Sequence, residues 1–120
     1  KVKKIISSFG FDIKKIDPDS RLFDKNLAGG AILDVGLYPV SFSRLIAGVA
    51  VGKKFLNPIK INGEARIGKT GVDEIASANL IFENDISAQV STAILQNMKK
   101  VFIISINYYV KILIDILLFR

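Results

Sequence analysis

Neither cysteine nor histidine occurs anywhere in the 120 residues. Their absence excludes disulfide frameworks, thiol nucleophiles, Ser-His-Asp and Cys-His catalysis, and every zinc site built on Cys or His. Metal binding would have to be carboxylate-based, and the chain has no D-x-D-x-D-G run or tight acidic cluster, so no metal site is expected. The chemistry left open belongs to Tyr, Lys, Asp and Glu. Lack of Cys also fits a reducing compartment, which makes a cytoplasmic location the expectation. Charge of one sign is nowhere concentrated. The 17 Lys+Arg and 11 Asp+Glu leave a net +6, yet no block reaches five like charges and no aromatic interleaving marks a stacking surface for bases. Lys53-Lys54 and Lys99-Lys100 therefore read as solvated surface and no nucleic-acid partner is expected. The alternative is a cationic rim that helps a phosphorylated cofactor approach.

What is present is an apolar fraction of 50%, enough for one domain with a core of its own. Lys1 to Lys4 are followed by too short an apolar run for a signal peptide. With no initiator Met and strand-like residues from the first position, the chain reads as the middle or end of something longer. Residues 2–11 look like a strand. Residues 12–28 are polar and turn-rich, with Asp17-Pro18-Asp19-Ser20 the clearest turn signal. After Gly29-Gly30 comes AILDVGLYPVSFSRLIAG, whose length and Leu33, Leu37, Val40 spacing predict a helix stopping at Gly48. Pro39 should kink it or begin a new segment, and Gly36 softens it.

From Pro58 the period changes to two. Ile59, Ile61, Gly63, Ala65 and Ile67 alternate with Lys60, Asn62, Glu64 and Arg66, and 73–82 and 86–94 follow across short turns. Strict alternation predicts an antiparallel sheet with one face on a core, in hairpin or meander order. The fold class expected is α+β, an open, mostly antiparallel sheet with helices on one face. Residues 101–119 hold 15 apolar residues in 19, long enough for a membrane span on hydropathy. Lys111 and Asp115 would each cost ~2.5–3.5 kcal/mol near a bilayer centre. The β-branched richness favours two further strands split near Asn107, with a helix the alternative and a membrane association not expected.

The segment with most chemical content is RLFDKNLAGGAILDVGLYPV, residues 21–40. On a helix Asp34 and Tyr38, four apart, share a face that Ser41 extends. A carboxylate and a phenol there can polarise a substrate hydroxyl or carbonyl. The Gly29-Gly30 pair lets another molecule or backbone come close to the helix start. The plainer reading of the Asp34/Tyr38 pair is a hydrogen bond at the surface or the edge of the core.

Extended to RLFDKNLAGGAILDVGLYPVSFSRLIAG, this stretch resembles the C-terminal domain of the Gfo/Idh/MocA oxidoreductases, in particular the glucose-fructose oxidoreductase and dimeric dihydrodiol dehydrogenase types. Their pattern is a glycine run, an aliphatic pair and Asp-x-Gly-x-Tyr-Pro. Phe9-Gly10-Phe11, Thr70-Gly71-Val72-Asp73-Glu74 and the Phe82 strand leading to Ala88-Gln89-Val90-Ser91 agree in order and spacing, so the likeness covers about residues 2–97. The resemblance implies an NAD(P)-dependent dehydrogenase of sugars, polyols or cyclic diols. In it, residues 1–120 form the substrate-binding and dimerisation domain, with a divergent apolar tail at 101–120. It assigns Tyr38 the acid/base role in hydride transfer and Asp34 the orienting of substrate or Tyr38. Gly29 and Gly30 would sit at a tight turn facing the active-site cleft, toward the cofactor. Arg21 would be structural or substrate-side. It also implies a homodimer through the open sheet.

The family's Glu-Lys-Pro motif is absent, since Pro18, Pro39 and Pro58 follow Asp, Tyr and Asn, and no G-x-G-x-x-G occurs. A phenol is a poor base near neutrality without an adjacent cation. The resemblance thus puts the NAD or NADP cradle and the activating Lys in a half outside this chain, which alone would be inactive. The Gly-Thr-x-Gly turn usual near the end is replaced by SINYYVKIL. The competing reading is a non-catalytic module whose sheet face or edge mediates interaction or oligomerisation.

Overall fold

In the computed structural model, which describes residues 1–106 and the backbone of 110–115, the chain folds as one open sheet with a single α-helix on one face. The strands are β1 (Val2–Asp12), β2 (Lys60–Ile67), β3 (Asp73–Phe82), β4 (Ile86–Ala93), β5 (Leu95–Ile106) and β6 (Val110–Asp115). They lie in the order β2-β3-β4-β1-β5-β6. Four of the five pairings are antiparallel, and β1 with β4 is parallel. The α+β class and the mostly antiparallel open sheet are therefore as the alternation implied. The meander extends only through β2-β3-β4. At Ile94 the chain passes the end of β1, held by Ile13 N–H donating to the Ile94 carbonyl at 3.0 Å, and returns along β1's other side as β5.

The apolar tail supplies strands over its described part. Ile103 pairs with Ile6 of β1 on one side and Leu113 of β6 on the other. The split expected near Asn107 falls on residues 107–109, which with 116–120 lie outside the described residues.

The helix differs from its forecast in two ways. A π turn, Ile32–Gly36, comes first, and the α-helix α1 spans Leu37–Ala50. Pro39 falls in the first turn of α1, directly after the π turn, so it stands at the start of a new helical segment, one of the two outcomes expected of it, and the irregularity lies upstream. Gly48 is not the stop. It lies inside α1, where a Cβ would come within 2.7 Å of the Phe55 backbone. The chain turns at Gly52, φ +78°, while Lys53 N–H returns to the Gly48 carbonyl at 2.8 Å.

Lys25–Ala50 is long and apolar enough by length and composition to cross a membrane. It is nonetheless broken at Ala28, which takes the left-handed conformation, and Ala47 of α1 is buried against the sheet. Ala47 packs with Ile5, Leu80, Phe82, Ile86, Ala88 and Val90, and a second cluster joins Leu22, Phe23, Ala31, Val72 and Ile94. One expectation of burial fails. All eight residues of β2 are exposed despite their alternation. The single helix spends its apolar side on β1, β4 and the near part of β3, so Ile61 and Ile67 at the sheet edge are left uncovered.

Candidate functional site

The π turn and the start of α1 stand over the ends of β1 and β4. Thr92 Oγ1 of β4 donates to the Ala31 carbonyl at 3.2 Å, and the Thr92 methyl faces Gly36. Tyr38, in the first turn of α1, is 43% exposed and its ring lies 5.1 Å from that of Phe9 on β1. Asp34 belongs to the π turn and takes a 2.5 Å ion pair from Arg21 Nη2. The two residues thus come from adjoining turns, Asp34 described against Arg21 and Tyr38 against Phe9. Arg21 precedes the site by 13 positions and reaches it because the 3₁₀ turns Arg21–Phe23 and Lys25–Leu27 fold back on the glycine pair.

That pair forms a tight turn. Gly29 N–H donates to the Asp24 carbonyl at 2.9 Å and Gly30 N–H to that of Leu22 at 2.8 Å. A Cβ on Gly29 would meet the carbonyl oxygens of Leu22, Arg21 and Asp24 at 2.6, 2.7 and 2.8 Å. At Gly30, with φ +104°, it would collide with the Asp73 carboxylate. What the missing side chains make room for at both positions is this chain's own backbone and Asp73.

Asp73 had a place in a matched motif but no role. Its Oδ2 accepts the Ile32 N–H at 2.7 Å and so caps the start of the helical segment. A dinucleotide's pyrophosphate needs such N–H groups unoccupied, and here it would meet a carboxylate instead. The Gly29-Gly30 turn therefore does not fit the phosphates of a nicotinamide cofactor.

Two residues linked to Tyr38, one directly and one through the other, escaped the sequence reading. Phe9 packs against its ring, and Lys100 of β5 sets its Nζ 5.0 Å from the centre of the Phe9 ring. Sixty-two positions separate Lys100 from Tyr38, so only the sheet pairing brings them near. At the C-terminal end of β1, three residues past Phe9, Asp12 has its carboxyl held below the ordinary carboxylate range. The largest cause is the hydrogen bond from Lys14 N–H, at 2.9 Å, and the Lys14 ammonium adds to it.

Residues 1–110 match the family model described as the GFO/IDH/MocA C-terminal domain. The trans-1,2-dihydrobenzene-1,2-diol dehydrogenase of Mus musculus is 35% identical over 92 residues, which are 77% of this chain and 25% of that protein. Its Xenopus tropicalis counterpart is 32% identical over 97 residues, 81% of this chain and 27% of that one. The chain thus spans about a quarter of the length of these relatives. Among solved structures, an aldose-aldose oxidoreductase from Caulobacter crescentus complexed with glycerol superposes with a TM-score of 0.72 over 87% of this chain and 30% of its own, at 23% identity. An NAD-binding protein from Listeria innocua follows at 0.62, with 87% and 28% covered and 18% identity. These two share the fold. The fold, the Asp34-to-Pro39 segment on its helix and the match over residues 1–110 agree, and the chain belongs to the GFO/IDH/MocA oxidoreductase family as its C-terminal domain.

Proposed function

We propose that this chain is the substrate-side and dimerisation domain of an NAD(P)-dependent dehydrogenase acting on a sugar, polyol or cyclic diol. The observation that carries the reading is Tyr38, held at the first turn of α1 against Phe9 with nearly half its surface open to a substrate. Its Oη gives a proton to, or takes one from, the substrate oxygen. Asp34, anchored by Arg21, orients the substrate or the phenol beside it. The proton is this chain's share of the reaction. NAD or NADP and the hydride step belong to a nucleotide-binding half outside these residues, and the chain alone is inactive. The dihydrodiol dehydrogenase relatives support a diol as substrate, and the aldose-aldose oxidoreductase neighbour is consistent with a sugar. The sheet face away from α1, where Asn62, Asn79 and Gln89 line up across three strands, is the surface for a homodimer in the cytoplasm.

The test is a complete two-domain protein with a nucleotide-binding half supplied. It should oxidise a cyclic diol or a sugar with NAD(P) reduction, and Tyr38→Phe should lower kcat by at least ~100-fold, as expected for loss of a general acid/base. An unchanged rate in Tyr38→Phe refutes the assignment. The exposed Ile59, Ile61 and Ile67 at the sheet edge favour a second reading, a non-catalytic interaction module. Failure of the complete protein to bind NADPH in a fluorescence titration would select it.

A further inference from the structure

Lys100 is fixed by a fault in the sheet. Along β1, two steps separate Ser8 from Gly10; along β5, three separate their partners Val101 and Met98. One extra residue therefore sits in β5 opposite Phe9, so Lys99 and Lys100 form a β-bulge at this point. Bulges bend a strand and re-aim its side chains, and they concentrate beside functional sites. Phe102, two residues beyond Lys100, packs its ring 4.2 Å from Phe42 of α1, so this face of β5 is the one turned to the helix. The half-buried Lys100 accordingly points toward the α1 side, with its ammonium over the Phe9 ring, and Phe9 in turn lies against Tyr38.

We infer that Lys100 is a positioning residue for Tyr38, acting through Phe9. The inference rests on the role proposed for Tyr38 and adds to it the group that sets the phenol's direction. An ammonium over an aromatic face is attracted by the negative charge of the π cloud, which restrains the ring as well as the lysine. Offset aromatic pairs have a preferred geometry, so restraining Phe9 restrains Tyr38. Proton transfer needs its Oη within hydrogen-bond distance of one substrate oxygen. Lys99, in the same bulge, has no described contact with Phe9 and is the matched control.

The experiment pairs turnover with a readout that needs none. In the complete two-domain protein, Lys100→Met should lower kcat roughly tenfold with KM changed less than about twofold, the pattern of a misdirected catalytic group. Lys100→Arg should keep most of the rate, because a guanidinium also sits over an aromatic face, and Lys99→Met should match the parent. Phe9→Leu should reproduce the loss, and adding Lys100→Met to it should lower kcat no further. Lys100→Gln serves as a second neutral variant should the Met variant fold poorly. On the protein without substrate, nuclear Overhauser contacts between the Phe9 and Tyr38 rings should weaken in Lys100→Met and persist in Lys100→Arg. Unchanged ring contacts in Lys100→Met, additive losses in the double variant, or an Arg variant no better than Met would each overturn the inference. If Tyr38→Phe leaves turnover intact while the ring contacts still respond to Lys100, the acid/base role fails and the positioning stands.

Discussion

Replacing Gly29 by alanine separates a glycine kept for a ligand from one kept for the fold. Gly29 is not among the glycines with positive φ, so alanine can adopt its backbone conformation and only space is at issue. The new methyl would lie 2.6–2.8 Å from three carbonyl oxygens of the turn at 21–24. These are backbone atoms, and relieving the contact means moving the strap that carries Arg21. Overpacking of this kind costs about 1–3 kcal/mol. The displacement also stretches the bonds from Gly29 N–H to Asp24 and Gly30 N–H to Leu22, and losing one removes about 1 kcal/mol more. The expected total is about 2–4 kcal/mol, a fall of about 1–2 M in the urea midpoint at the slope typical of small proteins. Equilibrium unfolding followed by far-UV circular dichroism measures it with no dinucleotide present. Gly52→Ala is the control: its Cβ meets nothing within 4 Å and φ is +78°, so only the left-handed penalty of about 1 kcal/mol applies. A midpoint for Gly29→Ala within about 0.3 M of the parent, or a smaller loss than in Gly52→Ala, would refute the packing argument.

Phe82, 1% exposed at the centre of the main core, should cost about 3–5 kcal/mol when cut to alanine, read as a lower urea midpoint at unchanged slope. The Asp12 carboxyl, held down by Lys14, should titrate below its ordinary 3.8 when followed by carboxyl carbon shifts. A depressed carboxylate favours folding above its unfolded value and loses that contribution as pH falls through the folded one. Asp12→Asn should therefore lower stability at neutral pH and converge with the parent as pH falls below about 4, flattening the acid limb, whereas an Asp12 midpoint above 3.8 would contradict the Lys14 contacts.

Much of the sheet was legible because alternation with period two is a local property. Strands 2–11 and 73–82 agree with β1 and β3 to within a residue, and residue 93 or 94 ends β4 on either reading. Alternation says that one side of a strand is apolar, though not that anything covers it. β2 has the same pattern as β4 and is exposed throughout, because one 14-residue helix cannot span six strands. The helix was legible from its spacing, while its π turn was not. The strain that Pro39 introduces is absorbed by whichever turn the sheet below leaves room to widen, and here that turn lies at Gly36 against Thr92.

The residue types available to chemistry were determined by the sequence alone. With no Cys and no His, the groups available are tyrosine, lysine and the carboxylates, and the family resemblance of residues 21–48, rather than the Asp34/Tyr38 spacing, marked Tyr38. Their surroundings were decided only in three dimensions. Asp34 is committed to Arg21, Asp73 occupies the helix start, and the glycine pair accommodates backbone. The lysine over the Phe9 ring arrives from 62 positions beyond Tyr38, through a bulge. Contacts of that range follow from strand order and register, which depend on the whole sheet closing over one core, and no local spacing encodes them.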